Sequence, residues 1–415
     1  MSQRMSGRRL MFVAVWAVTG AVSMSMADVV TEWNIAANRI VVSTASTPLE
    51  ANSMLAIVQT SVFVAANAIS HRYRSDDQHV PVPAGASIEA AVGAANRIAL
   101  LALVPTQRAL IDSIYQAAEN GIPEGPSKTA GIAVGERAAR TVLSRKAADQ
   151  QTQVDRYRPL AMAGVYVPTV MPAGVNESRR TPWLLTSPGQ FRPGPPPALT
   201  GEIWARDFNE IKMIGSKDSP QRTAEQTAIA RFWEATMPPI YHGLIRSVAT
   251  MPGRDITQNA RLFAMVTQAT DDALIAVMDA KHFYNFWRPI TAIRNGDIDN
   301  NDATERDSTW TPFITTPLHP EYPCAHCIVS GTIGTILKAE FPGARTLPLR
   351  TTSSTAGGAA RSWATIQDFM DEVANARIYD GVHFRNSTEV GTAMGQQIGE
   401  WYAAHFSQHM PMGNR

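Results

Sequence analysis

Five ionisable side chains in three blocks between Lys281 and His383 are of the types that, gathered together, hold a tetrahedral oxyanion. The first block runs Lys281-His282-Phe283-Tyr284-Asn285-Phe286-Trp287-Arg288-Pro289. The second is His319-Pro320-Glu321-Tyr322-Pro323-Cys324-Ala325-His326-Cys327, and the third spans Ala376-Arg377 to His383. An ammonium meets an oxyanion as a compact point charge, and a guanidinium meets it as a planar two-pronged donor. Lys281 and Arg288 are seven apart, about two helical turns, so both are expected on one helical face until Pro289 perturbs or ends the helix. In the second block Pro323 pre-sets a turn into a helix. Its free first-turn amides and dipole are an anion site without any side chain, and His326 stands there as a general acid to a leaving oxygen. Arg377 and His383 fall on an expected helix end and turn. Taken singly, a Lys and an Arg on one face are usually solvated, and one helical His is usually structural. The argument for a shared site is the conjunction of all three blocks in order.

These blocks resemble the three signature motifs shared by type 2 phosphatidic acid phosphatases and vanadium-dependent haloperoxidases: Lys-x6-Arg-Pro, Pro-Ser-Gly-His and Ser-Arg-x5-His-x3-Asp. The resemblance covers the second half of the chain closely. It implies that Lys281, Arg288, Arg377 and the Cys324, Ala325 and His326 amides hold vanadate or phosphate, with His326 as acid–base residue. It also implies that His383 ligates vanadium, or attacks phosphorus. Four positions depart from the pattern: Cys324 and Ala325 replace Ser and Gly, Ala376 replaces Ser, and Ser387 with Glu389 nearby replaces the ring-orienting Asp. A thiol is a weaker donor than a hydroxyl. His319, five residues before Cys324, stands where algal bromoperoxidases are expected to keep a histidine near the peroxide, which favours the haloperoxidase branch. In that branch the implied cofactor is vanadate and the substrates are peroxide and halide. The alternative is an exported acid phosphatase with a phosphohistidine intermediate and no cofactor; a non-catalytic exported helical module is a further one. A thiol beside bound peroxide would be oxidised, unless Cys324 and Cys327 are tied as a disulfide, and that weighs toward the phosphatase.

Composition bounds the rest. The 45% hydrophobic and 18% charged content is that of an ordinary globular protein, and a net charge of +1 argues against a nucleic-acid partner. Arg4, Arg8 and Arg9 precede an apolar run from Leu10 to Val22 and then Ser25-Met26-Ala27, so residues 1–27 are expected to be a secretory signal peptide. No later stretch reads as apolar enough to span a membrane, and the mature protein is expected to be secreted or periplasmic. Homo-oligomerisation is left open. The only cysteines are Cys324 and Cys327; they fit neither a haem-attachment motif nor a four-ligand zinc site. The other histidines (71, 79, 242, 282, 405 and 409) have no such context.

The elements that must position these groups read as helices. Thr47-Pro48 opens a run to Ile69, Ser87 another to about Val104, Pro105-Thr106 a third to about Asn120, and a fourth spans about Lys128 to Ala148. Residues 150–200, rich in Pro, Gly, Ser and Thr, are either an ordered crossover or a linker. Helices are then expected at Glu202–Ile214, Thr223–Ala235, Ile240–Thr250, from Ile256 to the first block, and at Ala325–Phe341, Trp363–Ala376 and Thr388–Phe406. No convincing strand alternation is present. The expected fold is all-α, two bundle-like halves: residues 28–200 as an N-terminal helical region with its crossover, and 201–415 as the catalytic helical domain.

Overall fold

The computed structural model describes residues 28–44, 47–74, 82–147, 158–234 and 238–406. The expected signal peptide, His79 and His409 lie outside them. Helix α1 spans Val29–Val42, its start fixed by the Asp28 carboxylate accepting the Thr31 N–H. α2 (Pro48–Ser70) opens on a reciprocal pair, in which the Thr47 hydroxyl accepts the Glu50 amide and the Glu50 side chain accepts the Thr47 amide. α3 (Ile88–Leu103), α4 (Arg108–Glu119) and α5 (Pro126–Lys146) complete the N-terminal helices. The second half carries α6 (Glu202–Ile214), α7 (Ala224–Phe232), α8 (Pro238–Ala249), α9 (Ile256–Tyr284), α10 (Pro289–Arg294), α11 (Ala325–Glu340), α12 (Ile366–Tyr379) and α13 (Arg385–His405). The fold is thus helical, as expected.

Two expectations need correction. Leu349–Ser353 (β1) and Ala359–Trp363 (β2) form an antiparallel hairpin, so α12 starts three residues after Trp363. The pairing was hidden because two of the inward positions of β1 are polar: Thr351 and Ser353 donate from their hydroxyls to the Ile240 and Phe232 carbonyls. Second, α2 is long and apolar enough to cross a membrane by length and composition, although most of its apolar window is buried in the fold. It is apolar on every side because α9, α3 and α5 surround it. Of the two alternatives for the proline-rich stretch, its described part, 158–200, is the ordered crossover. Arg180 grips both oxygens of Asp271 at 3.0 and 2.8 Å, and Arg192 does the same to Asp279 at 2.8 and 2.9 Å. The Trp183, Leu184 and Leu185 amides all donate to Asp272. The crossover is therefore strapped along α9.

One apolar core runs from Val30 to Phe406 and draws on both halves of the chain. Helix α9 lies at its centre, with an unbroken buried run from Leu262 to Met278. A second, aromatic cluster (Trp204, Phe208, Phe286, Trp287, Trp310, Tyr322, Phe384) packs beside the chemical blocks. The start of α11 is seated by α13, whose Gly391, Gly395 and Gly399 recur every fourth residue along one face. A Cβ on Gly391 would stand 2.6 Å from the Cys324 carbonyl oxygen, and one on Gly395 2.2 Å from that of Ile328. The missing side chains are what allow the two backbones to approach.

Candidate active site

Lys281 and Arg288 do not share a helical face, contrary to expectation. α9 ends at Tyr284, and Asn285 turns left-handed (φ 48°) with its amide bonded to the Lys281 carbonyl at 2.8 Å. Arg288 is extended (φ −82°, ψ 156°), as the residue before Pro289 must be, and forms the N-cap of α10. Both side chains are nevertheless buried, and the loop that leads into α11 joins them. Lys281 Nζ donates to the Pro320 and Glu321 carbonyls at 3.0 and 2.8 Å. Arg288 donates from Nε to the His319 carbonyl and from Nη1 to the Val382 carbonyl, both at 2.9 Å. Arg377 sits in the last turn of α12. Its Nη1 donates to the Trp233 carbonyl at 2.6 Å and pairs with Asp380 at 2.8 Å. Gly381, at φ +84°, then turns the chain so that His383 comes just before α13.

Three cations are thus buried together against only two buried carboxylates, Glu321 and Asp380. Burial, then the neighbouring Arg288, drives the Lys281 amine well below its ordinary value; burial brings Arg288 down to about 10. Among the described residues, Arg377 Nε and Nη2 and His326 Nε2 are buried without a hydrogen-bond partner. Buried polar atoms are rarely left so without a reason. Half of a guanidinium fork and an imidazole nitrogen are what an oxyanion would complete.

The hydrogen bonds fix the tautomer of His383. His383 Nε2 lies 3.3 Å from Arg288 Nη1, which can only donate, so Nε2 carries the lone pair. Nδ1 carries the proton and donates to Glu321 Oε1 at 2.8 Å. His319, half-buried, has its Nδ1 2.9 Å from Arg288 Nη2 and 3.1 Å from the Pro320 carbonyl oxygen, one a donor and the other an acceptor. All three imidazoles are held well below their usual value, by burial first and then by the cations. For His326 the leading cation is Arg377, and for His383 it is Arg288.

At the start of α11 Cys324 is the N-cap. Its sulfur accepts the Cys327 N–H at 3.3 Å, and its own amide is spent on the Ser387 carbonyl at 3.1 Å. The first-turn amides without a partner in the helix are those of Ala325 and His326, two rather than the three expected. The structure therefore brings Lys281, Arg288, Arg377, His319, His326, His383, Cys324 and Ala325 to one buried region. His242 lies apart, held by Asn34 and Asn38.

Residues 261–411 match the model of the VCPO second helical-bundle domain. A 159-residue stretch is 28% identical to the vanadium chloroperoxidase of Curvularia inaequalis, covering 32% of this chain and 26% of that protein. The match thus spans about a quarter of that relative's length. Among solved structures, a bacterial vanadium-dependent iodoperoxidase superposes with a TM-score of 0.75 at 22% identity, over 94% of this chain and 99% of its own. A holo-type bacterial vanadium-dependent chloroperoxidase superposes at 0.71 and 16% identity, over 96% and 97%. The fold is thus that of the bacterial vanadium-dependent haloperoxidases, and residues 261–411 carry the sequence likeness to the second helical bundle of the chloroperoxidase.

Set against the haloperoxidase motifs, two functional residues escaped the sequence reading. Glu321 does the work of the missing aspartate. The haloperoxidase pattern puts the ring-orienting carboxylate four residues after the histidine, where Ser387 Oγ is 3.5 Å from Nδ1 at best, while Glu389 is exposed beside Arg206. Glu321 reaches the same nitrogen from the other side and also accepts the Phe384 amide at 3.0 Å. Burial raises its carboxyl to about 7, against the opposing pull of Lys281 and Arg288. Asp380, raised to about 7 by burial against the pull of Arg377, anchors that guanidinium. Glu321 was the one carboxylate in the second block, which is the signal that could have pointed to it. Vanadate fits this set as an oxyanion. The donors are cations and amides, and the lone pair of His383 Nε2 faces the same cations. No group of three or more His, Cys, Asp or Glu able to chelate a bare cation occurs among the described residues.

Proposed function

We propose that this protein is an exported vanadium-dependent haloperoxidase, oxidising halide with hydrogen peroxide and passing the oxidised halogen to an organic acceptor. Lys281, Arg288, Arg377 and the Ala325 and His326 amides would hold the oxygens of vanadate, and His383 Nε2 would hold its metal. The chemistry vanadate supplies when bound is Lewis-acid activation of peroxide toward halide. The protein's own part is electrostatic and protonic. Glu321 keeps the proton on His383 Nδ1 so that Nε2 stays available, a partner shell of the kind that metal-ligating histidines require. His326, whose Nε2 has no protein partner, takes and returns a proton at the site once an anion raises its basicity. His319, half-buried beside Arg288, would stand where peroxide and halide arrive. Export rests on the signal-peptide pattern of residues 1–27.

The observation that carries this reading is the locked His383 tautomer beside an unfilled half of the Arg377 fork. One observation favours a second reading. Cys324 and Cys327 are both free thiols in this region, which suits a phosphatase that never meets peroxide. The two are separated by assaying bromination of monochlorodimedone with vanadate and peroxide alongside hydrolysis of an aryl phosphate. Bromination that disappears in His383→Ala is expected. Phosphate turnover without bromination would reject the haloperoxidase reading in favour of the phosphatase.

A further inference from the structure

The two cysteines form a pair built for more than packing. Cys324 is the N-cap of a sixteen-residue helix and Cys327 its third residue, and the first sulfur accepts the amide of the second at 3.3 Å. Both residues are fully buried. The buried cations Arg377 and Lys281 act on both, and Arg377 keeps two nitrogens, Nε and Nη2, with no protein partner. The pair thus lies at a helix start, in a cationic pocket with unused donors, where the proposed function brings peroxide.

We propose that Cys324 and Cys327 are a peroxide-reducing dithiol, Cys324 the attacking sulfur and Cys327 the resolving one, inside the oxyanion pocket itself. The Cys324 sulfur attacks one oxygen of hydrogen peroxide, the O–O bond breaks, and the departing hydroxide takes the thiol proton and leaves as water. The resulting sulfenic acid is attacked by the Cys327 sulfur. The S–O bond breaks, a second water leaves with the Cys327 proton, and a disulfide forms. Two thiols and one peroxide give one disulfide and two waters. The order follows from the site. Cys324 is the cap whose sulfur accepts the Cys327 N–H at the positive end of the helix, which favours negative charge on it, whereas Cys327 lies inside the first turn. The disulfide removes the oxidisable thiols from the pocket, so later peroxide is left for halide. The inference rests on the haloperoxidase reading only for peroxide being the pocket's natural visitor.

The test uses the full chain, reduced and desalted, free of vanadate and halide. It receives one equivalent of hydrogen peroxide, then is denatured and alkylated. The expected result is loss of both thiols, a mass lower by about 2 Da, the mass of the two hydrogens lost on forming a disulfide, and a Cys324–Cys327 peptide. Cys327→Ser should accumulate a dimedone-reactive sulfenic acid at Cys324, and Cys324→Ser should leave Cys327 alkylatable. Two full thiols after peroxide, or stepwise oxygen addition with no disulfide, would overturn the proposal in the unaltered protein whatever the variants do. Because no vanadate or halide is present, bromination with inert thiols sinks this inference alone. Disulfide closure without bromination sinks the haloperoxidase reading alone.

Discussion

Replacing Glu321 tests whether a carboxylate from a distant loop has taken over the orienting of His383. Oε1 of Glu321 accepts two buried donors, the His383 Nδ1–H at 2.8 Å and the Phe384 N–H at 3.0 Å. Glu321→Gln can keep both bonds through its amide oxygen and loses only the charge. Glu321→Ala leaves both donors orphaned in a dry site, at roughly 1–3 kcal/mol each in stability. It also frees the imidazole to turn or to change tautomer. Loss of such a partner typically weakens a metal–histidine site about 10–100-fold, or roughly 1.4–2.7 kcal/mol. Titrating vanadate into the folded variants by calorimetry should therefore give wild type > Glu321→Gln > Glu321→Ala, with the last weakened by about that factor. The decisive arm is rescue. Ser387 Oγ lies 3.5 Å from Nδ1, so Ser387→Asp in the Glu321→Ala background should recover most of the affinity by restoring the carboxylate from the family's usual side. Wild-type affinity in a well-folded Glu321→Ala protein would refute the reasoning, as would a Ser387→Asp double variant no better than the single one.

Other outcomes follow from the same geometry. Arg377→Ala strands buried Asp380 and should cost roughly 3–5 kcal/mol of stability; adding Asp380→Asn should recover part of the melting temperature, and no recovery would mean the pair is uncoupled. Gly395→Ala would set a Cβ 2.2 Å from the Ile328 carbonyl oxygen, so its urea midpoint should fall by the equivalent of roughly 1–3 kcal/mol; an unchanged midpoint would show that α13 does not clasp α11 as described. Burial raises the Asp272 carboxyl to about 6, so between about 4 and 6 the folded chain binds more protons than the unfolded one. Its contribution to stability therefore falls as pH rises through that window. Asp272→Asn should be less stable throughout, because its amide nitrogen cannot accept from the crossover, yet its melting temperature should decline less steeply from pH 4 to 6.

What could be read from the chain alone was whatever is written locally. The caps Thr47, Ser87, Thr223 and Asp255 each sit just before the helix they start, so the helical frame was legible. The three cationic blocks were legible because Lys, Arg and His at motif spacing carry their chemistry with them. What stayed hidden depended on partners far along the chain or on a single backbone dihedral. Asn285 in a left-handed turn separates Lys281 from Arg288, which no count of seven residues reveals. The polar inward side of β1 is satisfied by carbonyls more than a hundred residues away, so its alternation did not look apolar. Glu321 is the clearest case, because its role exists only where the loop meets a histidine 62 positions later. The departure at Ser387 was visible as a loss, but the compensation was not. The imidazole needs a carboxylate on Nδ1 and not any particular residue four positions on, so the motif could lose its aspartate while the site kept its tautomer. A sequence pattern therefore records one solution to that requirement, and the fold shows that this chain uses another.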